Sequence, residues 1–350
     1  MIELHQGNLL EADVEALVNT VNTEGVMGRG IALQFKKAFP EMFEVYRKAC
    51  EAGEVQPGRM HVYQREELLN PRYIINFPTK RHWREKSRLD DIRAGLEALV
   101  KEVSSRRIRS IAVPPLGTGM GGLNWKDVYP LIAAAFERVP NVKTLLFPPR
   151  GSPTPDDIVN RTERPAMTIS RANVLRLLHR YRILGYQLTL LEVHKLMYFL
   201  QEAGEPLRLR FQKDRFGPYA DNLRHVLSLF EGHFTLGFGD GKNSPETRIE
   251  LLPGAVEEAE DFAAGHAAGR PESEARFERV LKLIEGFESP YGIELLATTH
   301  WVATSESKQA NDVESAVSAV HSWNERKRRM MKPEHVRLAW QRLEEQGWLR

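Results

Sequence analysis

Two glycine-rich turns carry the clearest chemistry in this sequence. Gly25-Val26-Met27-Gly28-Arg29-Gly30 and Gly117-Thr118-Gly119-Met120-Gly121-Gly122 each follow a strand-like apolar run and lead into a helix-like one. Glycine lets backbone amides approach phosphate oxygens with no Cβ in the way, and a following helix adds the positive end of its dipole. Two such turns can grip one pyrophosphate. Between them, Asn76-Phe77-Pro78-Thr79-Lys80 places a lysine at the end of another strand-like run. Together these features point to a nucleotide-diphosphate site with an amine that is reactive or charge-stabilising.

The elements that must position these residues alternate through the first 147 positions. Ile2 to His5, Ala16 to Val21, Met60 to Gln64, Tyr73 to Asn76, Ser110 to Val113 and Thr144 to Phe147 read as strands. Ile31 to Ala38, Glu41 to Glu51, Arg88 to Ser104 and Trp125 to Arg138 read as helices, the third with Leu89, Ile92, Leu96, Leu99 and Val103 on a helical period. Such alternation predicts an α/β layered domain whose ligands sit beyond the carboxyl ends of the strands. Pro148-Pro149-Arg150-Gly151-Ser152-Pro153-Thr154-Pro155 interrupts the pattern and reads as a boundary. The expected organisation is a domain over 1–150, a linker over 151–162 and a mainly helical domain over 163–350.

In that second half, Thr189 with Glu192 fits a capping box opening a helix over Leu190 to Glu202. Further helices are expected at Asp221 to Phe230, Glu272 to Phe287, Ile293 to Thr304 and Pro333 to Gln346, with a glycine-rich turn at Gly237 to Asn243 inside a small β element. From Glu246 to Glu294 twelve acidic residues face five basic ones. That excess reads either as a solvated helical face or as a surface that docks a basic partner.

Bulk properties exclude several classes. The 350 residues suffice for two domains, and 42% hydrophobic with 27% charged residues is ordinary globular composition. A net charge of +2 argues against coating nucleic acid by bulk electrostatics. Met1-Ile2-Glu3-Leu4 shows no basic and apolar signal segment, so a cytosolic location is expected. The lone Cys50 suits helix packing, and the eleven histidines include no HExxH or other tight ligand spacing, so neither a metal nor another cofactor is expected.

The second turn formally matches GxGxxG at Gly117, Gly119 and Gly122, but a dinucleotide fingerprint belongs to the first βα turn and needs an acid at the end of the next strand. Here that strand ends Leu145-Leu146-Phe147-Pro148-Pro149-Arg150. The chain instead resembles the macrodomain family, which binds ADP-ribose. The resemblance rests on Gly7-Asn8-Leu9-Leu10, Ala16-Leu17-Val18-Asn19-Thr20-Val21-Asn22, Gly25 to Gly30 with Ile31-Ala32, and Ala112-Val113-Pro114-Pro115-Leu116-Gly117-Thr118-Gly119, in that order. It implies a three-layer α/β fold with a central mixed sheet. Asn76 to Lys80 followed by Arg81-His82-Trp83 is similar to the branch that removes ADP-ribose from ester or base linkages with a lysine, and most of all to antitoxins that reverse thymidine ADP-ribosylation in DNA.

This resemblance implies that Asn8 and Leu9 meet the adenosine end. It puts the pyrophosphate between Gly25, Val26, Met27, Gly28, Arg29, Gly30, Ile31 and Leu116, Gly117, Thr118, Gly119, Met120, Gly121, Gly122. The distal ribose falls near Asn22, Thr79 and Lys80, with Lys80 catalytic. A neutral Lys80 amine would attack C1″, which requires a lowered pKa; a protonated one would stabilise charge on a thymine leaving group. The two roles demand opposite protonation states. Relatives in this branch carry an aspartate in the second turn where this chain has Gly121. For single-stranded DNA, Arg81 and its neighbours supply cations and His82-Trp83 a stacking surface.

Leu196-Met197-Tyr198-Phe199-Leu200-Gln201, Phe216-Gly217-Pro218-Tyr219 and Trp323-Asn324-Glu325-Arg326-Lys327 resemble, more weakly, a helical antitoxin domain found beside diverse toxins. The implied partners are ADP-ribosylated single-stranded DNA and a cognate DNA ADP-ribosyltransferase toxin held by the second domain. The alternatives are a non-catalytic ADP-ribose reader and a hydrolase of small ADP-ribose esters.

Overall fold

The computed structural model describes residues 2–67, 69–149, 158–182, 188–241, 243–266, 271–305 and 310–349. The chain forms two compact units, residues 1–163 with 239–242 and residues 164–238 with 243–350. Residues 151–157 of the expected linker, and Arg150 before them, lie outside the described residues. Its later part packs on the first unit: Val159 joins an apolar core there, and Arg161 N–H donates to Lys37 O at 2.9 Å.

The first unit runs β1 (Ile2–Leu4), β2 (Ala16–Val21), α1 (Gly30–Ala38), α2 (Pro40–Glu51), β3 (His61–Gln64), β4 (Tyr73–Pro78), α3 (Leu89–Ser105), β5 (Ser110–Val113), α4 (Trp125–Glu137) and β6 (Lys143–Leu146). The sheet order is β1-β6-β5-β2-β4-β3, with β3 antiparallel to β4 and the other neighbours parallel. A parallel sheet is buried on both faces, so its strands read as apolar runs whose alternate residues feed two cores. Val18, Ile75 and Phe77 face Ile92, Leu96 and Leu99 of α3 and Ile132 and Phe136 of α4. Leu17, Ile74, Ala112 and Leu145 face Phe35 of α1 and Met42, Phe43 and Tyr46 of α2. The result is the expected three layers around a mixed sheet. At one close approach, a Cβ on Gly95 of α3 would lie 2.2 Å from Phe77 Cζ.

The second unit contains α5 (Ile169–Arg182), α6 (Leu190–Glu202), β7 (Gln212–Asp214), β8 (Gly217–Tyr219), α7 (Leu223–Phe230), β9 (Thr235–Leu236), β10 (Glu250–Leu251), α8 (Ala255–His266), α9 (Pro271–Ile284), α10 (Pro290–Thr304), α11 (Val313–Trp323), α12 (Glu325–Met330) and α13 (Pro333–Glu345). The predicted Thr189 and Glu192 pair is present, with Thr189 N–H donating to Glu192 Oε2 at 2.7 Å. Helices α5, α8 and α11 have no counterpart among the expected elements. In α8 the buried stripe is Ala255, Ala259 and Ala263, whose small side chains give a helical face little apolar contrast.

This unit buries polar groups in pairs. Arg176 in α5 meets Glu260 at 2.8 Å and Glu274 at 2.8 Å, and lies over the Phe277 ring. Lys327 Nζ donates to Glu294 Oε1 at 2.7 Å and to Thr298 Oγ1 at 2.9 Å, while Arg326 reaches the same carboxylate at 2.6 Å. Burial pushes the Glu294 carboxyl up, yet Arg326 and Lys327 outweigh it and hold the pKa below its ordinary value. The acidic stretch is therefore less of a lure than its count suggests. Glu258, Glu260, Glu274, Glu285 and Glu294 pair with Arg164, Arg176, Arg342, Arg326 and Lys327, all from outside it.

Candidate active site

Strands β5, β2 and β4 are neighbours in the sheet and parallel, so their carboxyl ends share one edge. The second glycine turn follows β5, the first follows β2, and Thr79-Lys80 follows β4. Residues separated by more than ninety positions in sequence thus meet because three strands end together, at the edge where open α/β sheets bind ligands.

Polar side chains under this edge set its geometry. Asn19 of β2 and Asn76 of β4 are fully buried register partners, and Asn19 Nδ2 donates to Asn76 Oδ1 at 2.9 Å. Asn76 Nδ2 also lies 3.1 Å from His61 Nδ1 on β3. A buried amide in an apolar strand costs free energy unless paired, so these bonds favour one register for β2 and β4. Thr79 is buried, and its N–H donates to Val21 O at 2.9 Å, carrying the strand pairing up to the residue before Lys80.

The first turn is held from within by Asn22. Its Nδ2 donates to Val26 O at 2.6 Å, and its Oδ1 accepts from Glu24 N–H at 2.9 Å and Val26 N–H at 3.3 Å. Tyr46 OH donates to Asn22 O at 2.7 Å. Expected near the distal ribose, Asn22 has its amide committed to the turn itself. Gly25 adopts φ +74°, where glycine is favoured, and a Cβ there would sit 3.5 Å from Cys50 Cβ. Cys50 packs behind this turn, and burial pushes its thiol pKa up. Met27 is buried while Val26 is exposed. The amides of Met27 and Gly28 donate to no group among the described residues. Gly30 differs from expectation, because its N–H donates to Asp240 O at 2.7 Å, within the first unit. Gln34 Nε2 reaches Asp240 Oδ2 at 3.4 Å. As the chain stands, the amide opening α1 is engaged by a residue more than two hundred positions away, a pairing without a signal in the sequence. Ile31 follows it in the first turn of α1.

The second turn starts from buried Leu116 and takes positive φ at Gly117 and Gly122. Thr118 Oγ1 donates to Pro115 O at 3.0 Å, and Gly122 N–H donates to Gly119 O at 3.1 Å. The amides of Gly119, Met120 and Gly121 donate to no group among the described residues. Gly121 has no room for a side chain: a Cβ would lie 2.2 Å from Gly117 O and 2.3 Å from Ser87 Oγ. The packing of this turn therefore admits only glycine at position 121. At the other end of the predicted site, Asn8 caps a short 3-10 turn by accepting from Leu10 N–H at 3.1 Å, and Leu9 is buried in the core under α1 and α2.

Lys80 joins the pieces. Its Nζ donates to Met120 O at 2.6 Å, so the amine at the end of β4 rests on the turn after β5. Burial lowers its pKa, and no carboxylate contributes to the shift. The loop beyond is anchored by Arg81, which pairs with Asp91 at 3.1 Å and whose carbonyl accepts from Thr23 Oγ1. His82 stacks on Trp83 at 5.5 Å between centroids, and Arg84 covers the indole at 4.5 Å. Arg81 is exposed, and His82 and Trp83 are half-buried. No group of histidine, cysteine and carboxylate side chains suited to a metal occurs among the described residues, and no described helix is long and apolar enough to cross a membrane.

A family model for the Macro domain matches residues 18–132. A Thermus aquaticus protein named DNA ADP-ribosyl glycohydrolase is 47% identical over 350 residues, covering 100% of this chain and 95% of that one. A Mycobacterium tuberculosis protein of the same name is 44% identical over 357 residues, covering 98% and 99%. A Thermosipho africanus DNA ADP-ribosyl transferase-DNA ADP-ribosyl glycohydrolase fusion protein is 35% identical over 146 residues, covering 37% and 38%. With identity extending over both units, the chain belongs to the DNA ADP-ribosyl glycohydrolase family and is a glycohydrolase built on a macrodomain.

Proposed function

We propose that this enzyme removes ADP-ribose from thymidine bases of single-stranded DNA, with Lys80 as the reacting group. The observation that carries the reading is the contact of Lys80 Nζ with Met120 O at 2.6 Å, in the second of the two turns expected to hold the pyrophosphate. A lysine in this place, with its pKa lowered by burial and no carboxylate holding it charged, suits nucleophilic attack by a neutral amine. Nζ would bond to C1″ as the C1″–N bond to thymine breaks, its electron pair leaving with the base. The amine sheds a proton to solvent and the base takes one up. Water then displaces lysine from the sugar and regenerates the enzyme.

Single-stranded DNA suits the site because its bases need no extraction from a duplex. The exposed Arg81 and Arg84 and the half-buried His82 and Trp83 beside Lys80 offer phosphate contacts and a stacking face. The pyrophosphate would take the amides of Met27, Gly28, Gly119, Met120 and Gly121, and the adenosine end would lie toward Asn8 and Leu9.

The second unit is proposed to hold the cognate DNA ADP-ribosyltransferase toxin. The transferase half of the Thermosipho africanus fusion protein supports such a pairing of activities. With five carboxylates of the acidic stretch paired internally, mimicry of DNA phosphates by that stretch is not part of the proposal.

The deciding experiment incubates ADP-ribosylated single-stranded DNA with wild type and Lys80→Ala and identifies the products by mass spectrometry. Free ADP-ribose and restored thymidine are expected with wild type alone. Binding of ADP-ribose by wild type without release from DNA would leave only a reader.

A further inference from the structure

Ser87 is a residue that neither the sequence motifs nor the proposed reaction uses, yet its backbone bonds the second turn and its side chain fills the space beside Gly117 and Gly121. It ends the loop that begins at Lys80, two residues before α3. Its N–H donates to Gly121 O at 3.0 Å. Its Oγ would be 3.1 Å from a Cβ on Gly117 and 2.3 Å from one on Gly121. The loop therefore holds the turn at two successive carbonyls, Lys80 on Met120 O and Ser87 on Gly121 O.

The hydroxyl itself is unsatisfied. Ser87 is 6% exposed, and its Oγ is buried with no hydrogen-bond partner. A hydroxyl in that condition costs free energy, and alanine would fill nearly the same space without the cost. Gly117 O is an acceptor on the same side of the turn. The point 2.3 Å from Ser87 Oγ where a Gly121 Cβ would fall is also 2.2 Å from Gly117 O. Gly117 O already accepts from Leu123 N–H at 3.1 Å and retains a second lone pair. A movement of the turn toward Ser87 would complete that bond.

Resting on the reading of these turns as a pyrophosphate site, we infer that Ser87 is a positioning residue for the second turn, its hydroxyl donating to Gly117 O when the turn closes on a pyrophosphate. The bond is then made in the bound arrangement and not in the open one, so its energy goes into binding and not into the stability of the free protein. This gives the hydroxyl effects of opposite sign on the two.

The test compares the full chain with Ser87→Ala by thermal melting without ligand and by calorimetric titration with ADP-ribose and with adenosine, which lacks the pyrophosphate. Ser87→Ala is expected to melt at the same or a higher temperature, to bind ADP-ribose about fivefold more weakly, as loss of one hydrogen bond implies, and to bind adenosine unchanged. An unchanged ADP-ribose affinity overturns the assignment, as does a variant that melts lower and loses both ligands, since that is the pattern of simple packing. Failure of wild type to bind ADP-ribose would instead overturn the pyrophosphate reading, and the Ser87 assignment with it.

Discussion

Lys80 Nζ donates to the carbonyl oxygen of Met120 at 2.6 Å, across the end of the strand that lies between their own two. One amine thereby connects the ends of β4 and β5, and its rest position is a backbone acceptor in the second turn. A carboxylate partner would hold the lysine charged, whereas a carbonyl in a partly buried site leaves desolvation to lower its pKa.

The pH dependence of single-turnover release discriminates between the two possible roles of Lys80. With the neutral amine as nucleophile, the rate rises with pH through a pKa below the ordinary 10.5 and levels above it. A rate that falls over the same range would show the protonated form to be active. Lys80→Ala is expected to lower release by at least about a hundredfold while binding ADP-ribose.

Restoring an acid to the second turn is expected to fail. Gly121→Asp places a Cβ 2.2 Å from Gly117 O and 2.3 Å from Ser87 Oγ, and the former is backbone that cannot rotate away. Gly121→Ala makes the same collision, so both variants should lose about 1–3 kcal/mol of stability, the usual cost of overpacking, together with ADP-ribose binding. Calorimetry and denaturant melts measure both. Full binding by Gly121→Ala would refute the steric account.

Trp83→Ala separates DNA contact from ADP-ribose contact. If a base stacks on the indole, its loss raises KM for ADP-ribosylated single-stranded DNA by about tenfold, in line with ~1–3 kcal/mol per stacked base, and leaves the affinity for free ADP-ribose unchanged. Equal losses for both ligands would assign Trp83 to the packing of its loop.

Stability of the second unit is expected to rise with pH in two windows. Burial, with Lys195 adjacent, depresses His194 to about 3, and burial depresses His300 to about 4. Their stabilisation is complete above the ordinary 6.5 and is lost as pH falls through those lowered values. Burial likewise brings Lys195 to about 7 and Lys327 to about 8. The unfolded chain binds more protons between those values and 10.5, so these lysines add stability as pH rises through that window. Urea melts at pH 5, 7 and 9, followed by the fluorescence of Trp301, Trp323, Trp340 and Trp348, check the slope. A midpoint independent of pH above 7 would contradict the lysine contribution.

Local physics is legible in the sequence wherever one segment suffices to express it. Apolar runs such as Tyr73-Ile74-Ile75 announce strands, Leu89 to Val103 repeats with helical spacing, and Gly25 and Gly117 mark turns at positive φ. Thr189 and Glu192 likewise announce their cap within four residues. Helix α8 escapes such reading because alanines define its buried face, and the acidic excess misleads because its partners, Arg164, Arg176, Arg326, Lys327 and Arg342, are distant in sequence.

The layered fold of the first unit, the two turns and the order of the lysine between them can be read from the residues alone, because periodicity and turn chemistry act over a few residues. What those parts touch depends on how the chain folds back on itself. Asp240 takes the Gly30 amide, Met120 O receives Lys80, and Ser87 meets Gly121 where a side chain would stand. Hydrogen bonds and steric exclusion act over a few ångströms, and the fold, not chain distance, brings those atoms within reach.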